Sequence, residues 1–378
     1  MNGGFVLHPR ARLFSGGRRQ ADPGPLAVAF AGGPFRIGGA GAVQAGPGQF
    51  ETLTSGSSGK PRRVIRSAAS WIASFAVNAD LFAIAPGARV AVLGGMEQSL
   101  ALYAAVEALS LGADLHLLAG MRPDRQRLAL RQLQVDVVYA TPVQLRMLVD
   151  AGGPGILVRR IVVGGAKLDL GLRTALADMA PGADIREFYG AAEASFITLS
   201  GRDAPQASVG AAYPGVQIDL RGGADAREIW VRSPYLFQGY AGGDPGSALW
   251  DREWLSVGEM GWMRDGNLYL AGRSGRMVTV ADQNVFPEAI EAFLLGLPGV
   301  ERAAVLPRAD VLRGRVMVAV LRGDRAQEDT ILSTARAQFG PLAAPRSVIW
   351  AQDWPELPSG KSDLLSLARM VAPRLPQA

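Results

Sequence analysis

Hydrophobic positions fall into two patterns along this chain, and the first runs from about residue 68 to residue 179. Short apolar runs of four to six residues alternate there with longer segments in which apolar residues recur every three or four positions. The short runs predict buried strands and the longer segments predict helices. Alternation at this spacing indicates an α/β domain with a doubly wound, mostly parallel sheet, whose ligand binds at the carboxyl ends of the strands.

The second pattern, from about residue 216, consists of short strands separated by turns and predicts a β-rich subdomain. The last hundred residues alternate again and predict a small α+β unit. Residues 1–50 are rich in glycine and proline and predict a thin, loop-rich lead-in. We therefore expect one large domain over 1–273, which begins with a lead-in at 1–53, and a small C-terminal domain over 274–378.

Individual elements follow from the same patterns. Helices are predicted at 68–84, 100–111, 125–133, 142–149, 168–179, 287–295, 326–339 and 364–371. Strands are predicted at 89–93, 113–118, 135–139, 160–163, 216–220, 228–231, 254–256, 267–270, 302–306, 315–321 and 347–349.

Composition excludes several classes of function. The 378 residues contain no cysteine and two scattered histidines, which argues against thiol nucleophiles, disulfides, Fe–S clusters and histidine-rich metal sites. The net charge of +5 is spread along the chain, so we expect no nucleic-acid partner. The start of the chain has no long apolar segment, and no run approaches 18 apolar residues, so we expect no membrane partner and a cytoplasmic protein.

Lysine is rare, and its positions draw attention. Only three of the 39 basic residues are lysine, at 60, 167 and 361. A lysine retained under such a bias toward arginine indicates a need for a compact ammonium group. The argument singles out Lys60 and Lys361. Lys167 is less clear, and either faces a second anionic group on a substrate or lies on the surface at a helix start.

The segment 54–61 has the composition of a phosphate-binding loop. Its residues are Thr54, Ser55, Gly56, Ser57, Ser58, Gly59, Lys60 and Pro61. Glycines let main-chain N–H groups approach an anion, and hydroxyls and an ammonium group add donors. The segment does not fit a Walker loop, which would need Gly at 54 and Ser or Thr at 61. A flexible Ser/Gly linker is the alternative for this stretch alone.

Three further motifs could serve a nucleotide. Tyr189-Gly190-Ala191-Ala192-Glu193 places an aromatic ring near a carboxylate, which suits base stacking and Mg²⁺. Glu259 and Arg273 belong to a GExGW…GR pattern that can bind hydroxyl and phosphate oxygens. Lys361 ends a Pro-Ser-Gly-Lys loop ahead of the last predicted helix. Taken singly, each residue could be an ordinary core or surface residue.

Together and in this order, these motifs resemble the adenylate-forming superfamily of acyl-CoA synthetases, nonribosomal-peptide adenylation domains and luciferases. The resemblance runs from about Thr54 to Asp363. It also includes Gly164-Gly165-Ala166 after a strand, as well as Thr141-Pro142 and Gly239-Tyr240. It implies a large core domain and a lid that rotates about a hinge near Arg276.

The resemblance also implies a role for each motif. Thr54, Ser55, Gly56, Ser57, Ser58, Gly59 and Lys60 would bind the ATP phosphates. Gly164, Gly165, Ala166, Tyr189 and Gly190 would border the adenine, with Glu193 on Mg²⁺ and with Glu259 and Arg273 on the ribose. Lys361 would bridge the substrate carboxylate and the α-phosphate, and Thr54, Lys60, Glu193 and Lys361 would be the catalytic set.

By the same resemblance the activity is ATP-dependent formation of an acyl-adenylate with release of pyrophosphate, then transfer to a pantetheine thiol on CoA or a carrier protein. The enzyme would be an AMP-forming acid–thiol ligase with a small acid, aryl or short acyl, as substrate. Two other readings stay open: an adenylating enzyme whose acceptor is not a thiol, and a catalytically weak nucleotide-binding relic.

The chain departs from the family pattern at several points. Ala192 stands where threonine is usual, Glu259 where aspartate is, and Arg276 where the hinge is aspartate or lysine. Ala281-Asp282 replaces a glycine pair near the thiol's path. Only 53 residues precede the phosphate loop, so the acyl pocket is expected to be shallow or completed by a partner, for example in a homodimer.

Overall fold

The computed structural model describes residues 4–54, 62–223, 226–243, 246, 248–281, 283–311, 313–357 and 361–372. Its strands are β1 Arg12–Ser15, β2 Arg18–Arg19, β3 Phe35–Arg36, β4 Gln49–Leu53, β5 Arg63–Ser67, β6 Arg89–Val92, β7 Asp114–Leu117, β8 Val137–Ala140, β9 Arg160–Val163, β10 Asp184–Ala191, β11 Ser195–Leu199, β12 Ala211–Ala212, β13 Gln217–Arg221, β14 Arg227–Arg232, β15 Gly239–Tyr240, β16 Leu249–Asp251, β17 Trp254–Arg264, β18 Asn267–Arg273, β19 Val278–Val280, β20 Gln283–Val285, β21 Val300–Asp310, β22 Gly314–Gly323 and β23 Ser347–Trp350. Its α-helices are α1 Ala27–Phe30, α2 Ala68–Phe82, α3 Ser99–Ser110, α4 Pro123–Gln132, α5 Pro142–Asp150, α6 Leu170–Met179, α7 Pro287–Leu295, α8 Glu328–Ala343 and α9 Leu364–Val371.

The largest sheet has the strand order β12-β11-β10-β9-β8-β6-β7-β1-β2. Its pairs from β10 through β9, β8, β6 and β7 to β1 are all parallel, and the pairs at the two ends are antiparallel. The parallel strands are buried on both faces, as the apolar runs predict. The predicted doubly wound, mostly parallel fold is confirmed.

Side chains alternate between two cores across this sheet. Val90 and Val92 of β6 join the core that contains residues of α2 and α3, whereas Ala91 joins the core beneath α4, α5 and α6. Adjacent strand residues point to opposite faces, so a four-residue run contributes to both cores. The helices therefore cover the sheet on both sides, and the loops at its edge are left for chemistry.

The N-terminal stretch is more structured than its composition predicts. β1 adds a parallel strand beside β7, and Phe5, Leu26 and Phe50 are buried in the larger core. Glu51 is completely buried, and it accepts hydrogen bonds from the Arg36 guanidinium and the Gln44 main chain. Turns and loops still make up most of residues 4–50, but packing against a neighbouring strand and the core adds structure that a weak local preference does not predict.

The β-rich region contributes strands to two smaller sheets. One contains β13, β14, β17 and β16, with β18 paired to β17, and the other runs β15-β5-β4-β3. β17 and β18 are much longer than the predicted strands at 254–256 and 267–270, since they form a hairpin that extends from Arg264–Asn267 to Glu259–Arg273. The GExGW…GR pattern is therefore one continuous antiparallel ladder.

The C-terminal residues build cores of their own. Apolar residues of β19–β22, α7 and α8 form one cluster, and α9 packs with β21 and β22 in another. Both clusters are composed of residues between 278 and 371, whereas the two clusters of the first part lie between 5 and 268. Within the described residues, the helices include none that is both long and apolar enough to span a bilayer.

A buried carboxyl group joins the helices of the larger core to the sheet. Glu107 of α3 accepts hydrogen bonds from Asn78 Nδ2 at 2.7 Å, from the Tyr103 hydroxyl at 2.9 Å and from the Tyr139 hydroxyl at 2.5 Å. Burial raises the pKa of Glu107 to about 7, although these three donors oppose the shift. The folded protein consequently binds a proton that the unfolded chain loses near pH 4.5.

We expect the stability of the folded state to depend on this proton. Between about pH 4.5 and 7 the folded state holds the proton more tightly than the unfolded chain, so the free energy of unfolding should fall as pH rises, by on the order of 3 kcal/mol from this group. Glu107→Gln should remove that part of the slope. Urea unfolding of both proteins at several pH values measures it, and equal slopes would contradict the prediction.

Candidate active site

The two ends of the predicted phosphate loop are fastened together. The Thr54 main-chain N–H donates to the Arg62 carbonyl oxygen at 2.9 Å, and the Arg62 N–H donates to Thr54 Oγ1 at 3.0 Å. Ser55, Gly56, Ser57, Ser58, Gly59, Lys60 and Pro61 lie outside the described residues. These two hydrogen bonds hold Thr54 at the end of β4, beside the start of α3.

Ser99 connects the end of β4, where the predicted phosphate loop begins, to helix α3. Its hydroxyl donates to the Leu53 carbonyl oxygen at 2.9 Å and lies 2.7 Å from Thr52 Oγ1. Ser99 is the first residue of α3, so the strand that enters the loop is tied to a helix of the main core. Sequence reasoning missed Ser99, although a hydroxyl at a predicted helix start was a signal that could have found it.

The glycine motif after β9 permits a close approach. A Cβ atom on Gly164 would lie 2.2 Å from Phe188 Cζ, and Gly165 has φ of +93°. A larger residue at 164 would displace the Phe188 ring, and a residue with a side chain at 165 would be strained. The chain thus turns sharply at the carboxyl end of β9, next to β10.

Tyr189 and Glu193 lie just beyond, where β10 turns into β11. The Tyr189 hydroxyl oxygen is buried and has no hydrogen-bond partner among the described residues. Burial raises the Tyr189 pKa well above its usual range, and the charge of Glu259 raises it further. The β10–β11 register shifts at Gly190, where a Cβ atom would lie 1.9 Å from the Ser195 carbonyl oxygen.

Glu193 is held by its main chain and its side chain. Its carbonyl oxygen accepts from the Phe237 N–H at 2.7 Å, and Oε1 accepts from the Tyr240 hydroxyl at 2.9 Å. Among the described residues, no group of three or more His, Cys, Asp or Glu side chains is placed to hold a metal ion. A single carboxylate fits Mg²⁺, which usually keeps waters and substrate phosphate oxygens as its other ligands.

Glu259 and Arg273 face each other across the β17–β18 hairpin. Arg273 Nε lies 2.9 Å from Glu259 Oε1, and the Glu259 side chain is 14% exposed. Gly272 brings α7 close, because a Cβ atom at this position would lie 2.6 Å from Glu288 Oε2. The two residues assigned to the ribose therefore form one ion pair at the edge nearest the C-terminal region.

Lys361, in the C-terminal region, lies within electrostatic reach of the Glu259–Arg273 pair. The Leu357 N–H donates to the Lys361 carbonyl oxygen at 2.8 Å, and residues 358–360 between them lie outside the described residues. Burial lowers the Lys361 pKa, the charge of Arg273 lowers it further, and Glu259 raises it. The lysine thus lies within electrostatic reach of the Glu259–Arg273 pair, ninety residues earlier in the chain.

Lys167 is paired with a buried carboxylate and a main-chain carbonyl oxygen. Lys167 Nζ donates to Glu187 Oε2 at 2.9 Å and to the Ser208 carbonyl oxygen at 2.6 Å. Glu187 is buried and also binds the Leu168 N–H at 2.9 Å and Arg173 Nη2 at 3.3 Å. The lysine belongs to an internal ion-pair network that ties α6 to β10. It is therefore not an unpaired surface lysine.

Arg276, at the predicted hinge, is anchored into the C-terminal unit. Its guanidinium donates to Glu291 at 2.7 and 3.0 Å, lies 3.3 Å from Glu288 Oε1 and donates to the Val305 carbonyl oxygen at 3.3 Å. Ala281 has a positive φ of 49°. Asp282, which replaces a family glycine, lies outside the described residues.

Comparison with known families tests the resemblance drawn from the motifs. The profile described as "AMP-binding enzyme" matches residues 51–241, and the profile described as "AMP-binding enzyme C-terminal domain" matches residues 289–361. This chain belongs to the AMP-binding enzyme family. The resemblance drawn from the motifs is confirmed.

Individual relatives agree with this family. The chain is 32% identical over 320 residues to "Uncharacterized acyl--CoA ligase YhfT" of Bacillus subtilis, covering 82% of this chain and 66% of the relative. It is 29% identical over 275 residues to "Putative long chain fatty acid-CoA ligase VraA" of Staphylococcus epidermidis, covering 72% and 60%. The chain thus spans about two thirds of the length of these curated relatives.

A solved structure shows the same fold. The amide bond synthetase McbA from Marinactinospora thermotolerans superposes with a TM-score of 0.75 at 24% sequence identity, covering 96% of this chain and 80% of that one. At this identity the similarity establishes the arrangement of domains and sheets alone. It agrees with the parallel sheet, the β-rich region and the C-terminal unit described above.

The charges around Lys361 can be tested directly, because the chain has only three lysines. Glu259→Gln removes the charge that raises the Lys361 pKa and leaves Arg273, which lowers it. We therefore expect the pH midpoint for labelling of Lys361 by an amine reagent to fall in this variant. Mass spectrometry of the labelled peptides measures the midpoint.

Lys167 is the internal control for this experiment, since its ammonium group is paired with Glu187, away from the substitution. Its labelling should be the same in both proteins. An unchanged or higher midpoint at Lys361 would mean that Lys361 and Glu259 do not interact.

Proposed function

We propose that this protein activates a carboxylic acid with ATP, releasing pyrophosphate and forming an acyl-adenylate, and then transfers the acyl group to a pantetheine thiol, that of CoA or of a carrier protein. The observation that carries the proposal is the convergence of Lys361 on the Glu259–Arg273 pair. Membership of the AMP-binding enzyme family and the names of the two bacterial relatives support it.

The first step brings two anions together. An oxygen of the substrate carboxylate forms a bond to the α-phosphorus of ATP, and the bond from that phosphorus to the β-bridging oxygen breaks, so pyrophosphate leaves. The carboxylate is already ionised near pH 7, so the step needs no general base. It needs cations and hydrogen-bond donors placed where negative charge develops.

The motifs of the chain can supply these groups. Lys361 would lie between the carboxylate and the α-phosphate, and its half-buried position would strengthen the interaction. Glu259 and Arg273 would bind the ribose, while Tyr189 and Gly164-Gly165-Ala166 would border the adenine. The segment from Thr54 to Lys60 would bind the β- and γ-phosphates.

A magnesium ion would be held by Glu193 and by phosphate oxygens of ATP. When bound, it supplies positive charge that offsets the charge on the triphosphate. The hydrogen bonds to the Glu193 carbonyl oxygen and carboxylate keep this side chain at the edge of the site.

The second step would require the C-terminal unit to move. We propose a core domain over residues 1–273, a lid over 274–378 and a hinge near Arg276. Rotation would withdraw Lys361 and bring the segment around Ala281 to the site, so that a thiol could attack the acyl carbonyl and release AMP. The separate hydrophobic cores on the two sides of residue 274 support this division.

We propose a small acid, aryl or short acyl, as the substrate. The Staphylococcus relative is named for long-chain fatty acids, which makes such an acid the second candidate. The similarity of the fold to an amide bond synthetase likewise makes an amine the second candidate acceptor.

We expect one class of acid to stimulate pyrophosphate release by the purified protein with ATP and Mg²⁺. The panel should contain aryl, short and long acids. Lys361→Ala should lose about 10²–10³-fold of the stimulated rate, because it removes a donor aimed at developing charge. Adding CoA, a phosphopantetheine carrier protein or an amine to the active pair then identifies the acceptor.

Arg369→Ala is the matched control, since Arg369 also lies in the last part of the chain but on an exposed face of α9. It should keep the full rate. If ATP binds but no acid stimulates release, the proposed function is wrong and the relic reading is favoured. If Lys361→Ala and Arg369→Ala are equally active, the role of Lys361 is wrong.

The proposed domain division predicts that the two parts unfold separately. Leu321 of β22 is completely buried in the C-terminal core, and Leu321→Ala should cost about 2–5 kcal/mol there. Hydrogen exchange followed by mass spectrometry should become faster over 278–371 and stay unchanged over β6–β9. Leu115→Ala, in the core of the large sheet, should do the reverse. Equal acceleration throughout the chain would contradict the division.

A further inference from the structure

Arg66 is a completely buried arginine next to the proposed magnesium ligand. It lies on β5, the strand that follows the phosphate loop, and its side chain has no exposed surface. A buried charge is costly unless it is hydrogen-bonded or paired. Such a residue therefore calls for a specific explanation.

The guanidinium group connects two turns of the main chain. Nη1 donates to the Ala192 carbonyl oxygen, and Nη2 donates to the Tyr235 carbonyl oxygen and, at 3.3 Å, to Ser70 Oγ. Nε is buried without a hydrogen-bond partner among the described residues. The planar group spans from one turn to the other, which a single ammonium group cannot do in the same way.

Both turns hold Glu193. Ala192 immediately precedes Glu193 in the chain. The segment from Tyr235 to Tyr240 supplies the Phe237 N–H, 2.7 Å from the Glu193 carbonyl oxygen, and the Tyr240 hydroxyl, 2.9 Å from Glu193 Oε1. Arg66 is thus bonded to the main chain on each side of the contacts that fix this carboxylate.

The positive charge of Arg66 also interacts with Glu193. Burial lowers the Arg66 pKa to about 9, and the charge of Glu193 is the strongest influence that opposes the shift. Arg66 remains a cation at neutral pH, with Glu193 as its principal anionic neighbour. Both its bonds and its charge are directed at the segment that carries Glu193.

We propose that Arg66 is a positioning residue that fixes Glu193 for binding the magnesium ion of Mg–ATP. This inference rests on the proposed function, in which Glu193 is the metal ligand. Arg66 acts through the main chain of Ala192 and Tyr235 and through its charge. AMP needs no metal, so its binding should not depend on Arg66.

The test compares two ligands in Arg66→Lys. Isothermal calorimetry with ATP at saturating Mg²⁺ should show affinity reduced by about tenfold or more, the usual effect of removing a group that orients a metal ligand. AMP binding in the presence of EDTA should change less than about twofold, because the adenine and ribose contacts do not involve Glu193. A purely structural role would weaken both ligands alike.

Arg127→Lys is the matched control. Arg127 on α4 is also buried, and its guanidinium donates to three main-chain oxygens: those of Pro154 at 3.0 Å, Leu148 at 3.1 Å and Gly153 at 2.6 Å. These bonds lie in the core on the other face of the sheet, beneath α4 and α5. The variant should lose stability as Arg66→Lys does, yet bind both ligands as the unaltered protein does.

The proposal is overturned if Arg66→Lys leaves Mg–ATP affinity unchanged or weakens Mg–ATP and AMP by the same factor. Should Arg66→Lys fail to fold by circular dichroism, Arg66→Gln replaces it with the same two outcomes, since it is uncharged and can still donate to one carbonyl oxygen.

The binding test does not depend on turnover of an acid. Tight Mg–ATP binding with no acid-stimulated pyrophosphate release would contradict the proposed function, and the selective loss in Arg66→Lys would still support the positioning role. Normal pyrophosphate release without a selective loss would contradict the role of Arg66 alone. A protein that binds no Mg–ATP would overturn both.

Discussion

Parallel pairing of β6, β8, β9 and β10 is the constraint on which the rest of this structure depends. Helices cover both faces of the sheet, so the strands carry apolar side chains and leave no room for chemistry within the layer. Parallel strands also end at the same edge. Gly164 and Tyr189, at the ends of β9 and β10, are therefore neighbours although 25 positions separate them in the chain.

Charges at this edge are held by partners from different parts of the chain. Glu259 binds Arg273 across a hairpin, Glu193 binds Tyr240 from another sheet, and Arg66 binds two main-chain carbonyl oxygens. A charge with reduced solvation interacts strongly with its neighbours, and fixed partners spare it reorganisation when a ligand arrives. The arrangement is suited to a reaction in which anions must be brought together.

The C-terminal unit adds the last cation to this arrangement. Its hydrophobic cores are separate from those of the large sheet, and its Lys361 lies within electrostatic reach of Glu259 and Arg273. Arg276, at the junction, is bound to Glu288 and Glu291 of α7. In the proposed function, a cation on a unit with its own core can be present for one step and absent for the next, which is the physical advantage of a lid.

The sequence by itself determined the fold class and the motifs of the site, because hydrophobic period and short-range residue types are local properties. Apolar runs such as Arg160–Val163 and helices such as Pro287–Leu295 and Leu364–Val371 could be read with correct bounds or nearly so. Tertiary structure alone decided the strand pairs and ion pairs that join residues distant in the chain. It made β1 a strand by pairing it with β7, and it extended β17 to the Glu259–Arg273 pair. It also placed Lys167 against Glu187 and buried Arg66 between Ala192 and Tyr235. Packing and ion pairing act through space, so no local pattern encodes them.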